Sequence, residues 1–237
     1  MNYLALAKRL NTILDLHQED AQRYLERMAN LRGRYGDALP IVHGWFFSTN
    51  SKWTIVEPRI FHLYNRLGGF DLNVVRNARF SEIAEVLKPV GFYNELSQQL
   101  QAFGLAVIRN FSDWHVFVKF LETGGIYPAY AKLKRERARV TFKNLAGMMV
   151  NLGLGRNLVI PDKHVARVIK ISGSDLKACR TDPALFGSFL QQAHTITRIL
   201  ETTRGKRVAP ILWSLAVWFF DSRTRFEELM QNETILA

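Results

Sequence analysis

The stretch RVTFKNLAGMMVNLGLGRNLVIPDKHVARVIKI, residues 139–171, decides how the rest of the chain is interpreted. Leucine and methionine residues recur at helical spacing in its first part, and Gly153 and Gly155 end that helix. A short apolar run follows, and Asp162 is predicted to be the N-cap of a second helix. The pattern therefore predicts a helix, a short loop and a helix, with Lys143 near the start of the first helix.

The pairing of Lys143 with Asp162, nineteen positions apart, has a chemical use. A neutral lysine amine can attack a carbon that bears a leaving group and go on to form a Schiff base. Partial burial or cationic neighbours favour the neutral amine, and a nearby carboxylate can move protons or stabilise a cationic sugar. Each residue also has a purely structural interpretation, the aspartate as a helix cap and the lysine as a solvated charge.

Part of this stretch resembles the helix–hairpin–helix DNA glycosylases, the superfamily of endonuclease III and the 8-oxoguanine glycosylases. The residues that match the family's Asp-x-His-Val-x-Arg segment are Asp162, His164, Val165 and Arg167. Lys143 falls where the family has its catalytic lysine. The runs Asn151-Leu152-Gly153 and Leu158-Val159-Ile160 are similar to the second class of 8-oxoguanine glycosylase/lyases. The resemblance covers residues 40–170 well and the two ends loosely.

Strand patterns are almost absent, so we expect an all-α protein. The resemblance implies one glycosylase-like unit over residues 1–237, with two helical subdomains flanking a cleft. Residues 40–130 would form the first subdomain, and residues 131–171 the hairpin-like and catalytic segment. The two ends, 1–39 and 172–237, would pack together as the second subdomain.

Several helix boundaries can be predicted from local chemistry. Residues 3–31 show one apolar face at helical spacing, followed by a break near Gly33 and Gly36. Helix starts are predicted at Ser81, at Ser112 or Asp113, and at Asp182, where Pro183 follows.

The composition indicates a basic globular protein. The chain has 237 residues, 48% of them hydrophobic, and a net charge of +11. A folded chain this basic suggests a polyanionic partner, with tuning of solubility as the alternative. The single cysteine, Cys179, excludes an internal disulfide, an iron–sulfur cluster held by four thiolates of this chain and a cysteine-rich zinc site.

The expected compartment follows from two absences in the sequence. The N-terminus lacks the apolar region of a signal peptide, and no run of 18 apolar residues is present. We therefore expect a soluble intracellular protein, cytoplasmic and associated with the nucleoid.

The segment Ser48-Thr49-Asn50-Ser51-Lys52 lies between two apolar helical patterns. It resembles the family segment whose loop residue enters the gap left by an extruded base. Asn50 stands in place of the usual glutamine and offers the same amide groups. The resemblance implies that Asn50 and Lys52 contact DNA, while an ordinary turn is the alternative.

The segment AKLKRERARVTFK, residues 131–143, departs from the family pattern. The usual hairpin uses glycines, which let backbone N–H groups approach a phosphate, and this segment has none. It carries five cations instead: Lys132, Lys134, Arg135, Arg137 and Arg139. They could hold phosphate by charge, or they could belong to a charged helix extension in which Glu136 pairs locally.

Aromatic residues supply candidates for contacts with a base. Trp213 and Trp218 lie in the apolar run 208–220 and could line a base pocket, with core packing as the alternative. Phe92 and Tyr93, in a segment similar to the family's Gly-Phe-Tyr-Asn, are expected to pack in the core, with stacking on a base as the alternative.

The resemblance implies a DNA glycosylase with AP-lyase activity, acting as a monomer on duplex DNA without a metal or organic cofactor. Lys143 and Asp162 would be catalytic, and His164 would join the DNA-binding residues. An oxidised purine such as 8-oxoguanine is the first expectation for the base, and an oxidised pyrimidine or a modified base in foreign DNA the second. A non-catalytic DNA-binding protein of the same fold and an RNA-binding helical protein are the alternatives.

Overall fold

A computed structural model describes residues 3–49, 51–222 and 226–236. Within these ranges every regular element is a helix, which confirms the all-α prediction. The α-helices are α1 (Tyr3–Tyr35), α2 (Ala38–Trp45), α3 (Trp53–Arg66), α4 (Leu72–Asn77), α5 (Phe80–Leu87), α6 (Tyr93–Phe111), α7 (Trp114–Gly124), α8 (Ile126–Arg135), α9 (Phe142–Asn151), α10 (Lys163–Ile169), α11 (Gly173–Cys179), α12 (Pro183–Arg204), α13 (Pro210–Ser222) and α14 (Phe226–Met230). Short 3₁₀ turns occupy Phe46–Ser48, Lys88–Val90 and Gln231–Ile235. In the described part of the chain, no helix has both the length and the apolar character that crossing a membrane requires.

Helix α1 is longer than its sequence pattern predicted. It runs through Gly33 and ends at Tyr35, where Gly36 adopts a positive φ of 77°. Two contacts hold its last turn: Arg32 pairs with Asp37 at 2.7 Å, and the Tyr35 carbonyl accepts a hydrogen bond from Tyr64. The buried stripe of α1 packs along α13 and α12, so the first helix lies against helices from the last quarter of the chain.

Helices α2 and α9 cross at van der Waals distance through a pair of glycines. A Cβ atom on Gly44 would lie 2.4 Å from the backbone nitrogen of Met148. A Cβ atom on Gly147 would lie 2.2 Å from Cδ2 of Phe47. Every residue of α9 is buried except Lys143, which is partly exposed. The crossing therefore fixes, in the centre of the molecule, the helix that carries the candidate nucleophile.

The predicted helix caps are confirmed at two of three positions outside the central stretch. Asp113 caps α7 by accepting the Val116 N–H, and Asp182 caps α12 by accepting the N–H groups of Ala184 and Leu185. The cap at Ser81 is wrong, because α5 begins at Phe80 and its N-cap position is Arg79. The side chain of Arg79 makes no capping hydrogen bond, so α5 is held by the burial of its apolar face rather than by a cap.

The basic segment forms the end of α8 and the connection to α9. Lys132, Lys134 and Arg135 lie in the last turn of α8, so this part of the segment is the charged helix extension that was the alternative to a phosphate-binding hairpin. Arg137 and Arg139 lie in the connection, and Arg137 has a positive φ of 58°, a backbone conformation that favours glycine. Arg139 forms an ion pair with Glu95, and Glu136 pairs with Arg109 of α6 at 3.0 Å rather than within its own segment.

A buried ionic cluster joins α1, α2, α3 and the C-terminal segment. Arg27 donates to Glu57 at 2.6 Å, and His43 Nε2 lies 2.8 Å from the same carboxylate oxygen. Burial alone would raise the pKa of Glu57, but the hydrogen bond from His43 and the charge of Arg27 outweigh it and hold this pKa at about 2. Burial lowers the pKa of His43, so its neutral ring donates to Glu57 through Nε2–H and accepts from Asn151 at Nδ1.

Candidate active site

A cavity of about 720 Å³ opens where the start of α9 faces α10 and α13, and we call it the Lys143 cavity. Its wall includes Tyr24 of α1, Phe47, Thr49, residues 51–54, and side chains of α10, α11, α13 and α14. Lys143 and Asp162 both line it, so the fold brings the two predicted catalytic residues into one space.

Lys143 and Asp162 are each held by a helix start. Lys143 is the second residue of α9, which begins with a capping box between Thr141 and Asn144. Asp162 is the N-cap of α10, and its Oδ1 accepts the Val165 N–H at 2.8 Å. The carboxylate is 6% exposed, and its Oδ2 makes no hydrogen bond to any residue within the described ranges. One oxygen therefore caps the helix while the other is available to the cavity.

The surroundings of Lys143 favour its neutral amine. Burial lowers the pKa of Lys143 to about 8, and the charges of Arg180 and Lys163 act in the same direction. The negative charge of Asp162 opposes them and raises this pKa. At pH 7 roughly a tenth of the amine is therefore unprotonated, far more than for an ordinary lysine, and a nucleophilic lysine must be unprotonated to attack.

Arg180, at the end of α11, connects the two segments that carry Lys143 and Asp162. Its carbonyl accepts the Phe142 N–H at 2.8 Å, one residue before the lysine. Its Nε donates to the Pro161 carbonyl at 3.2 Å, one residue before the aspartate. The guanidinium group also lines the Lys143 cavity. No local sequence signal pointed to this residue, because it lies 37 positions from Lys143 and 18 from Asp162.

His164 lines the cavity with its ring held from one side. Its Nδ1 lies 2.5 Å from Oδ2 of Asp221 on α13, and Arg167 donates to the same oxygen at 2.8 Å. Burial alone would raise the pKa of Asp221, but the hydrogen bonds and charges of His164 and Arg167 lower it. Asp221 thus holds the imidazole with Nε2 as its remaining polar atom. Asp221 had no local signal in the sequence, because its partners His164 and Arg167 lie 57 and 54 positions away on another helix.

The two tryptophans predicted for a base pocket lie in different places. Trp218 lines the Lys143 cavity, whereas Trp213 is buried in the core, where its Nε1–H donates to Thr197 at 2.9 Å. Phe47 and Trp53 also line the cavity, and their rings are stacked with centroids 5.2 Å apart. Trp53 comes directly after Lys52, yet its apolar helical surroundings gave no reason to separate it from core residues.

The predicted DNA-binding residues are distributed over two regions. Lys52 is exposed at the start of α3 and lines the cavity together with His164. The cations of the α8–α9 connection, with Lys134 and Arg135 on α8, are exposed on the surface. None of them lines the Lys143 cavity. Asn50 lies outside the described residues.

The expectation that Phe92 packs in the core is wrong. Its side chain is 80% exposed, and the residue adopts a positive φ of 48° ahead of α6. It borders a second cavity of about 350 Å³ that is also lined by Thr49 and Ser51. The neighbouring Tyr93 is partly buried against the core, as expected. Phe92 is therefore a large exposed aromatic residue close to Thr49 and Ser51, where it is free to contact a partner.

No group of three or more histidine, cysteine, aspartate or glutamate side chains is placed to hold a metal ion in residues 3–49, 51–222 and 226–236. Comparison of the chain with protein families, with curated proteins and with solved structures found no match.

Proposed function

We propose that the protein is a DNA glycosylase with AP-lyase activity, of the helix–hairpin–helix type. The observation that carries this proposal is the convergence of Lys143 and Asp162 on one cavity with aromatic walls. In this proposal, the helices that flank the cavity form two subdomains. Duplex DNA binds across the cavity mouth, and one damaged nucleotide is flipped into it.

The flipped base would lie against Trp218, the partly buried aromatic wall that α13 supplies. Lys52 and the Asp221-held ring of His164 lie at the same cavity and would contact the backbone of the flipped strand. The role of Asn50, filling the gap in the duplex, rests on the sequence resemblance alone. Phe92, exposed nearby, would stack against the bases beside that gap.

The chemistry follows from the state of the two catalytic groups. The neutral Nζ of Lys143 attacks C1′ of the flipped nucleotide, the bond from C1′ to the base breaks, and the base leaves with a proton. Asp162 stabilises positive charge on the sugar and accepts or returns protons through its free oxygen. Opening of the sugar ring gives a Schiff base. Removal of a C2′ proton then expels the 3′ phosphate and cuts the strand.

The test of this function is base release by the Asp162→Asn variant and by the wild-type protein. Duplexes that each carry one lesion are incubated with both proteins, starting with oxidised purines. Asparagine is a competent N-cap, so the free energy of unfolding should change little. Base release should fall by about 10²-fold or more, the size of a lost acid–base group. If the variant stays fully active, Asp162 is only a cap. If the wild-type protein binds duplex tightly and releases no base, it is a non-catalytic DNA-binding protein.

A further inference from the structure

The elimination step of the proposed function requires a base that removes the C2′ proton, and histidine is the side chain that most often acts as one. His164 lines the Lys143 cavity two residues after Asp162, whose charge acts on Lys143. Its side chain is 12% exposed. Nε2 makes no hydrogen bond within the described ranges and is not among their buried unpartnered atoms, so this nitrogen is accessible.

The position of the proton on the His164 ring is set by Asp221. Nδ1 lies 2.5 Å from Oδ2 of Asp221, and Arg167 donates to the same oxygen at 2.8 Å. Burial raises the pKa of Asp221, but the hydrogen bonds from His164 and Arg167 outweigh it and keep the carboxylate ionised at neutral pH. An ionised carboxylate can only accept, so the ring proton is on Nδ1. In the neutral ring, Nε2 is then an unprotonated acceptor.

A second buried histidine shows the contrast between an open and an occupied ring. His43 is fully buried, its Nε2 donates to Glu57 at 2.8 Å, and its Nδ1 accepts from Asn151 at 3.1 Å. Both of its nitrogens are therefore occupied, and it does not line the Lys143 cavity. His164 differs in each respect, since it lines the cavity and has one nitrogen without a protein partner in the described part of the chain.

We propose that His164 is a catalytic residue of the elimination step, whose Nε2 removes the C2′ proton, and that Asp221 and Arg167 are its positioning residues. This inference rests on the proposed function and supplies the base that the last step requires.

The Schiff base joins Nζ of Lys143 to C1′ and makes the neighbouring C2′ proton acidic. Nε2 takes this proton, the C2′–H electrons form the C2′–C3′ double bond, and the C3′–O bond breaks with its electron pair leaving on the 3′ phosphate. The imidazolium that forms is stabilised by the Asp221 carboxylate and then loses its proton to water.

A duplex with a preformed abasic site tests this step separately from base release. His164→Asn keeps an N–H group that can bond to Asp221 and lacks Nε2. It should form the borohydride-trapped adduct at about the wild-type rate and cut the strand at least about 10²-fold more slowly. His194→Asn is the matched control, because His194 is exposed on α12 and does not line the cavity, and it should cut like the wild type.

A second variant and a spectroscopic measurement test the position of the ring proton. In the free wild-type protein, ¹⁵N NMR of the imidazole nitrogens should show His164 with its proton on Nδ1 and with Nε2 unprotonated. Asp221→Ala removes the acceptor, so the ring should lose this preference and cutting should slow while trapping continues.

The inference is overturned if His164→Asn cuts the abasic duplex at the wild-type rate, or if wild-type His164 carries its proton on Nε2. It is also overturned if duplex binding and trapping fall together with cutting, which is the result expected for a lost phosphate contact. A wild-type protein that releases bases without cutting would keep a glycosylase function and overturn this inference. One that neither releases bases nor forms an adduct would overturn both.

Discussion

At the scale of single residues, the protonation state of Lys143 depends on its neighbours. Three charged groups face it: Asp162 from the start of α10, Lys163 from the same helix, and Arg180 from the end of α11. Burial is the largest influence, and the two cations add to it while the carboxylate opposes it. Arg180 also connects the two segments, because it hydrogen-bonds to Phe142 beside Lys143 and to Pro161 beside Asp162.

Substitution of Arg180 separates its charge from its structural role. The rate of Schiff-base trapping at limiting substrate should rise with pH as free Lys143 loses its proton, with a midpoint near its pKa of about 8. Arg180→Gln removes a cation, so the pKa of Lys143 should rise and the midpoint should move to higher pH. Arg180→Lys keeps the charge and should leave the midpoint near that of the wild type. An unchanged midpoint in Arg180→Gln would contradict the electrostatic role.

At the scale of helices, the crossing of α2 and α9 positions the site. Glycines at the contact let the two backbones approach, and Gly147 also leaves room for the Phe47 ring at the cavity wall. A side chain at either position would separate the helices and move Lys143 relative to Asp162. Glycine is therefore required here by space rather than by backbone conformation.

Gly44→Ala should destabilise the protein by about 1–3 kcal/mol, the usual cost of overpacking a core, because the new methyl group meets the backbone of α9. Urea denaturation followed by circular dichroism measures the change. Gly33→Ala is the matched control, since Gly33 is exposed on α1 with no atom within 4 Å of the added group. That variant should be neutral or up to about 1 kcal/mol more stable. Equal stability of the two variants would show that the crossing is looser than described.

Local chemistry predicted the helices better than it predicted the walls of the site. Asp113, Asp162 and Asp182 could be recognised as caps because a cap acts on the backbone only two or three residues away. Arg180 and Asp221, which complete the cavity wall, could not be recognised in this way. They reach their contacts only because separate helices pack together. The prediction for Phe92 was wrong for a related reason. An apolar side chain predicts burial, and the sequence does not show that a left-handed backbone turns this one outward.

At the scale of the whole molecule, the net charge of +11 gives the protein a general attraction to polyanions. The α8–α9 connection contributes two exposed arginines, Arg137 and Arg139. Arg139 is paired with Glu95 when no partner is bound, and Arg137 is exposed. If this connection faces DNA, these side chains hold phosphate by charge.

The Arg137→Ala, Arg139→Ala double variant should bind every duplex more weakly, with or without a lesion. The slope of log K against log salt concentration should become shallower by about one unit for each phosphate that the protein no longer neutralises. Fluorescence anisotropy at several salt concentrations measures it. A double variant at Arg9 and Arg198, exposed on α1 and α12, removes the same charge and should keep the slope. An unchanged slope in the first variant would show that the connection does not face DNA.

The most direct test of the account is covalent trapping. A borohydride reductant, added while the wild-type protein acts on lesion-containing duplex, should reduce the Schiff base to a stable protein–DNA adduct. Peptide mapping should locate it at Lys143, and Lys143→Gln should form no adduct and cut no strand while still binding duplex. An adduct that persists in Lys143→Gln, or that maps to Lys52 or to the N-terminal amine, would contradict the assignment of Lys143 as the nucleophile.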